Sequence, residues 1–373
     1  MTITHEPEIR KGLAGVVVDR TSISNVVPET NSLTYRGYAV QDLAASCSFE
    51  EVAYLIWHGE LPTPAELRAF SQRERAEREL SSTTLAILDL LPATCHPMDT
   101  LRTAVSCLGA EDPLEQDNSV PANRAKALSM MAKLPTVLAR EQRRRNGLEP
   151  ISPDPELTFA ENFLRMCFGE VPGPEIVSCF EISLILYAEH SFNASTFTAR
   201  VVISTLSDIY SAVTAAIGAL KGPLHGGANE AVMEMMLDID DPERADAWLR
   251  DAVESKRKIM GFGHRVYKDG DSRVPTMKDA FLRLAAQTDG QRWVRMYEEL
   301  EQSMDAAKGI KPNLDFPAGP AYYLMGFDIP MFTPIFVLSR ITGWTAHVIE
   351  QLEANSLIRP LSLYSGVAQR AMG

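Results

Sequence analysis

The chain has 373 residues, 45% of them apolar and 23% charged, which suits two domains or one large core with an inserted lobe and excludes a small module. Asp and Glu number 49 against 36 Lys and Arg, a net charge of -13, which argues against nonspecific binding to nucleic acid or to anionic membranes.

Taken in chain order, the N-terminal MTITHEPEIRKG has no apolar signal-like segment, and no apolar run reaches membrane-spanning length, so a cytoplasmic location is expected. GLAGVVVD and SLTYRGYAV read as short β segments, because Val-rich and Tyr-rich runs are split by Gly and polar residues. From about Val40 the pattern turns helical. FEEVAYLIWHGELP spaces its apolar residues for a helix that stops at Gly59 and Pro62, and later segments repeat that design. RRRNGLEPISPDPELT, at 143 to 158, reads as an exposed connection. Between about Asn229 and Gly319 the helices are more highly charged, which suggests a smaller, more solvated lobe. The cysteines Cys47, Cys95, Cys107, Cys167 and Cys179 never fall in a C-x-x-C spacing and read as reduced, mostly buried thiols.

Three histidines, His190, His225 and His264, stand beside Gly, Asn or Ser at the ends of helical runs. His225 lies between DIYSAVTAAIGAL and NEAVMEMMLDI, with Gly226 and Gly227 after it. Near a helix N-terminus the ring is kept neutral, which suits a hydrogen-bond donor to a carbonyl turning into an enolate; the other reading is a capping histidine. His264 follows Gly-Phe-Gly and is surrounded by Lys256, Arg257, Lys258, Arg265, Lys268 and Arg273. This is either a phosphate-holding loop or a solvated charged one. Asp315, in GIKPNLDFPAGP, is expected in a loop hemmed by Pro312, Pro317 and Gly319. Apolar neighbours would make it a stronger base, whereas an Asx-turn aspartate is the alternative. Arg340 interrupts an apolar helix and needs an anionic partner, either a substrate carboxylate or Glu350. Arg359 precedes Pro360 and is expected to project from a loop, and His347 reads as a structural core histidine.

Together these stretches resemble the citrate synthase family: HSFNAS, GPLHGGANE, GFGHRVY with Arg273, PNLDF, SRITGW and IRP, in that order, from about Gly12 to Tyr364. GPAYYLMGF and GWTAHVIEQ look most like the 2-methylcitrate synthases of actinobacteria. The resemblance implies an all-α fold with short N-terminal β segments. It also implies a large domain at 1-227 and 322-373 and a small domain at 228-321 that closes over the site. The expected activity condenses oxaloacetate with propionyl-CoA, and with acetyl-CoA as well, then hydrolyses the thioester to 2-methylcitrate or citrate and CoA. His225, His264 and Asp315 would be catalytic, while His190, Arg273, Arg340 and Arg359 would hold oxaloacetate. Arg359 would reach the other subunit's site in a homodimer. Ile259, Met260, Gly261, Phe262, Gly263, Lys256, Lys311 and Asn313 would bind CoA, with no metal and no cofactor. Ser272 and Val367 stand where the family often has Pro, which bears on the loop at Arg273 and on the tail with Arg370.

Three other readings are a dedicated citrate synthase of the tricarboxylic acid cycle, a metal hydrolase ligated by the same His and Asp residues, and a noncatalytic helical scaffold.

Overall fold

The computed structural model describes residues 9–92, 94–264, 266–267 and 270–372. The first eight residues and two members of the basic cluster, Arg265 and Lys268, lie outside the described residues.

Three short strands come first, β1 at Ser24–Val27, β2 at Ser32–Tyr35 and β3 at Tyr38–Ala39. They form an antiparallel sheet in the order β1-β2-β3, with Ser24 opposite Tyr35 and Tyr35 opposite Tyr38. The expected β segment at GLAGVVVD is not one. Lys11–Leu13 makes a 3-10 turn, and Val16, Val17 and Val18 follow in extended chain, 40%, 88% and 40% exposed. β-propensity alone does not make a strand where no neighbouring backbone offers a ladder.

The rest is helical. The first half contains α1 Val40–Ser46, α2 Phe49–His58, α3 Pro64–Ala76, α4 Ser82–Asp89, α5 Pro97–Glu111, α6 Val120–Arg145, α7 Phe159–Phe168 and α8 Pro174–Tyr187. The second contains α9 Ala194–Ile203, α10 Ile209–Leu220, α11 Ala228–Ile239, α12 Ala245–Glu254, α13 Val274–Gln287, α14 Gln291–Lys308, α15 Asp315–Leu324 and α16 Phe332–Glu353. α2 starts in a capping box between Ser48 and Glu51 and stops at Gly59, whose left-handed φ of 94° an L side chain rarely adopts, as the sequence predicts. Arg143–Arg145, expected in the connection, finish α6 instead. The remaining connection is strapped down: buried Arg78 donates to the Asp154 and Leu157 carbonyls at 2.7 and 3.1 Å.

α16 is the spine. From Phe332 to Ile349 every residue on it is buried, because α2, α5, α6, α8, α9, α10 and α11 surround it. An apolar helix wrapped in this way needs no membrane, and none among the described residues is long and apolar enough to cross one. α13 packs on α8 and α15, α11 on α15, and α12 on α14. All five cysteines are free; Cys167 and Cys179 are buried and the other three are partly exposed.

The N-termini of α2 and α7 meet at a knot of carboxylates. Phe49 N donates to Glu181 at 3.1 Å and Phe159 N to Glu50 at 2.9 Å. Burial pushes the Glu181 carboxyl up to about 7, with Glu50, Glu161 and Glu51 adding to the effect and the Phe49 amide opposing it. A raised folded-state value means that the neutral acid favours the fold. That contribution is complete below the ordinary carboxylate range and is lost as pH rises through about 7. Glu181→Gln is therefore expected to stabilise the protein at pH 8 by on the order of 1 to 2 kcal/mol, allowing for residual solvent access. Near pH 4.5 it should bring no gain, as measured by urea midpoints at the two pH values.

Candidate active site

The candidate residues sit where helices begin and end. His190 follows α8, His225 bridges α10 and α11, His264 follows the Gly261-Phe262-Gly263 turn, and Arg340 is inside α16. Asp315 departs from expectation: it is the first residue of α15, not a loop residue. Pro317 falls in the first turn, where a helix does not use its N–H groups. Gly319 is required by packing, because a Cβ there would come 2.9 Å from the Asn229 carbonyl of α11.

Asp315 is partly buried, and burial pushes its carboxyl up to about 6. The Tyr187 hydroxyl donates to Oδ1 at 2.6 Å and works the other way, as do the charges of Arg273 and Arg340. The carboxylate bonds this tyrosine rather than its own turn, which removes the Asx-turn reading. Tyr187 also ties the site to α16, since its carbonyl accepts from Arg340 Nε at 2.7 Å.

The two imidazoles are neutral for the same reason. Burial lowers His225 to about 4, with Arg340 adding to it, and lowers His264 to about 4, with Arg273 adding and Asp271 opposing. Their tautomers follow from their partners. Ser195 N donates to His225 Nε2 at 3.2 Å, so the ring proton belongs on Nδ1. Ser195 Oγ, itself held by Trp344 Nε1 at 3.0 Å, lies 2.8 Å from the same Nε2. In His264 the acceptor is Nδ1, which receives the Val266 and Tyr267 amides at 3.1 and 3.2 Å and leaves the proton on Nε2. Among the described residues each ring therefore keeps one N–H free to donate.

His190 completes this face, with its ring 5.0 Å from that of His264 and a buried Nε2 that has no hydrogen-bond partner among the described residues. Burial, then Arg273, holds it well below the ordinary histidine range. Arg273 is gripped by Asp271 through Nε at 2.9 Å and Nη2 at 2.6 Å. Burial opposes the charge on Asp271, but Arg273 outweighs it and holds the carboxyl well below its usual range. Ser272 donates to Tyr267 at 3.0 Å while its carbonyl accepts from Gln41 at 2.9 Å, so hydrogen bonds fix this loop.

Glu350 is not the partner of Arg340; it pairs with Arg200 at 2.8 Å. His347 is fully buried between Glu189 and Arg200, at 2.9 and 3.0 Å, as a structural histidine would be. Sequence reasoning did not single out Tyr187, Ser195, Asp271, Glu189 or Trp344. Ser195 and Trp344 close the quoted motifs HSFNAS and SRITGW, and Asp271 stood two positions before the basic Arg273.

The segment proposed for CoA is ordered by pairing. Gly263 N donates to the Lys311 carbonyl, Asn313 N to the Gly261 carbonyl and Asn313 Nδ2 to the Gly263 carbonyl, each at 2.9 Å. Gly261 and Gly263 have φ of 83° and 79°, and a Cβ on Gly261 would collide with Val232 at 2.6 Å and Phe316 at 2.8 Å. Ile259, Met260 and Phe262 are partly exposed and Lys256 fully so, while Lys311 is ion-paired with Asp305 at 2.6 Å. Arg359 is exposed, six residues beyond the end of α16, and among the described residues it makes no hydrogen bond with His190, His225 or His264. Among the described residues no three His, Cys, Asp or Glu side chains converge as metal ligands.

The sequence matches the family described as citrate synthase, C-terminal domain, over residues 12–361. A 2-methylcitrate synthase of Mycobacterium tuberculosis is 66% identical over 371 residues, spanning 100% of this chain and 94% of that protein. A citrate synthase of Mycolicibacterium smegmatis is 65% identical, spanning 100% and 99%. The citrate synthase of Thermoplasma acidophilum, solved as a ternary complex with carboxymethyl coenzyme A and oxaloacetate, superposes with a TM-score of 0.93 at 34% identity, and 98% of each chain is covered.

The Tyr187 hydroxyl favours the charged form of Asp315, so Tyr187→Phe is expected to raise that carboxyl above its value of about 6. An infrared titration of the carboxyl band, with Asp315→Asn as the assignment control, checks this. An unchanged or lowered midpoint would show that the hydroxyl does not tune the group.

Proposed function

The chain belongs to the citrate synthase family, and on that footing we propose that it condenses oxaloacetate with propionyl-CoA, and with acetyl-CoA as well, giving 2-methylcitrate or citrate and CoA. The observation that carries this reading is a carboxyl poised at about 6 in the same charged neighbourhood as two neutral imidazoles, each with an N–H that is free among the described residues.

Asp315 removes the proton alpha to the thioester while His225 Nδ1–H bonds the thioester oxygen as it becomes enolate. Neither suffices alone, since a weak carbon acid needs base and acid together. The new carbon nucleophile attacks the ketone carbon of oxaloacetate, and His264 Nε2–H protonates the ketone oxygen. Water then cleaves the thioester and releases CoA. His190, Arg273 and Arg340 hold oxaloacetate, whose two carboxylates call for paired guanidinium groups. Residues 259–263, with Lys256, Lys311 and Asn313, receive CoA. The segment 228–321 forms the small domain that closes on 1–227 and 322–373.

A cytoplasmic homodimer is part of the proposal. The C-terminal chain after α16 exposes Leu361, Tyr364 and Val367 at 92%, 74% and 58%. Exposed apolar side chains along one stretch of chain suit burial against a second copy, which would carry Arg359 to the partner's site.

Names of relatives do not fix acyl preference, since 66% and 65% identity point to two different names and one methylene is worth only about 1 to 3 kcal/mol. Oxaloacetate-dependent thiol release should proceed with both thioesters, and kcat/KM for each sets the preference. Asp315→Ala should lower kcat by at least about a hundredfold and leave oxaloacetate affinity within a few-fold. Loss of affinity in parallel with kcat would contradict the assignment of Asp315 as base rather than clamp.

A further inference from the structure

Arg273 and Arg340 are both buried, yet they are compensated differently. Asp271 makes a two-pronged ion pair with Arg273, whereas Arg340 has one hydrogen bond among the described residues, from Nε to the Tyr187 carbonyl. The strongest opposing charge near Arg340 is Glu189, and the two make no ion pair. Glu189 Oε1 is instead held by Ser24 Oγ and by His347 Nε2, each at 2.9 Å, and Oε2 is buried without a donor among the described residues. His347 is fixed on its far side by Arg200 Nη1 at 3.0 Å. Gly343, one turn after Arg340, makes room for this arrangement. A Cβ there would lie 2.3 Å from Glu189 Oε2 and 3.4 Å from Arg340 Cδ, so both side chains border the same bare patch of α16.

We propose that Glu189 is a positioning residue held back from Arg340: its charge sustains the guanidinium in the protein interior, while Ser24 and His347, both bonded to Oε1, hold the carboxylate off the Nη donors that take a substrate carboxylate. The inference rests on the reading of Arg340 as an oxaloacetate ligand. Released from its two tethers, Glu189 swings onto Arg340 and competes with the dicarboxylate for the same N–H groups. Removed altogether, it leaves Arg340 without an internal competitor and with its buried charge unmet, so that a bound carboxylate takes over the compensation.

The two perturbations therefore have opposite signs, which a merely structural role would not produce. Oxaloacetate affinity by calorimetry, together with KM and kcat, is measured for the wild type, Ser24→Ala, His347→Leu, Glu189→Gln and the Glu189→Gln/His347→Leu double variant. Ser24→Ala should weaken oxaloacetate binding by a few-fold and His347→Leu by roughly tenfold, with the change in KM exceeding that in kcat. Glu189→Gln should bind no more weakly than the wild type, and the double variant should recover its affinity. Ser24→Ala removes one hydroxyl and decides the matter if the core substitution at His347 does not fold. Equal weakening by Glu189→Gln and His347→Leu, or no recovery in the double variant, would overturn the proposal. A wild-type protein that does not bind oxaloacetate would overturn the parent reading too, and that result separates the two failures.

Discussion

Two guanidinium groups buried near each other set the terms for everything around them. Arg273 and Arg340 are 5% and 1% exposed, and charge so far from water has to be met by internal carboxylates. Asp271 and Glu189 meet it. With that positive field in place, burial and charge act together on the neighbouring imidazoles, and His190, His225 and His264 all lose their affinity for a proton. Asp315 is pulled both ways: the arginines favour its anion, but desolvation wins and leaves it near 6. A base ionised at neutral pH yet stronger than a carboxylate in water is the consequence.

The scaffold delivers these groups through a few shared residues. Tyr187, the last residue of α8, bonds the Asp315 carboxylate with its hydroxyl and Arg340 with its carbonyl, so the position of the base and that of the anion clamp are not independent. Ser195 links His225 to Trp344 on the buried spine α16. The turn glycines let segments 261–263 and 311–313 pair closely enough to order the chain just before His264 and Asp315.

Much of this was legible in the sequence where local chemistry leaves little choice: the stop at Gly59, the joint at His225, the turn before His264. Legibility ended where tertiary partners decide. The valines at 16 to 18 read as a strand and find no ladder. Asp315 read as a loop residue because Pro and Gly crowd it, but a first-turn proline does not break a helix, and Gly319 answers to the approach of α11. Arg340 was read as needing an anion, with Glu350 as one candidate, but Glu350, three turns away on the same helix, is taken by Arg200. Tyr187 and Glu189 gave no signal because their roles come from residues more than a hundred positions distant.

Nitrogen-15 NMR of the histidine side chains at pH 7 tests the electrostatic account most directly. It should find His225 neutral with its proton on Nδ1 and His264 neutral with its proton on Nε2. An imidazolium at either position, or the opposite tautomer, would contradict the claim that the buried arginines and the backbone amides have fixed both rings as single-proton donors.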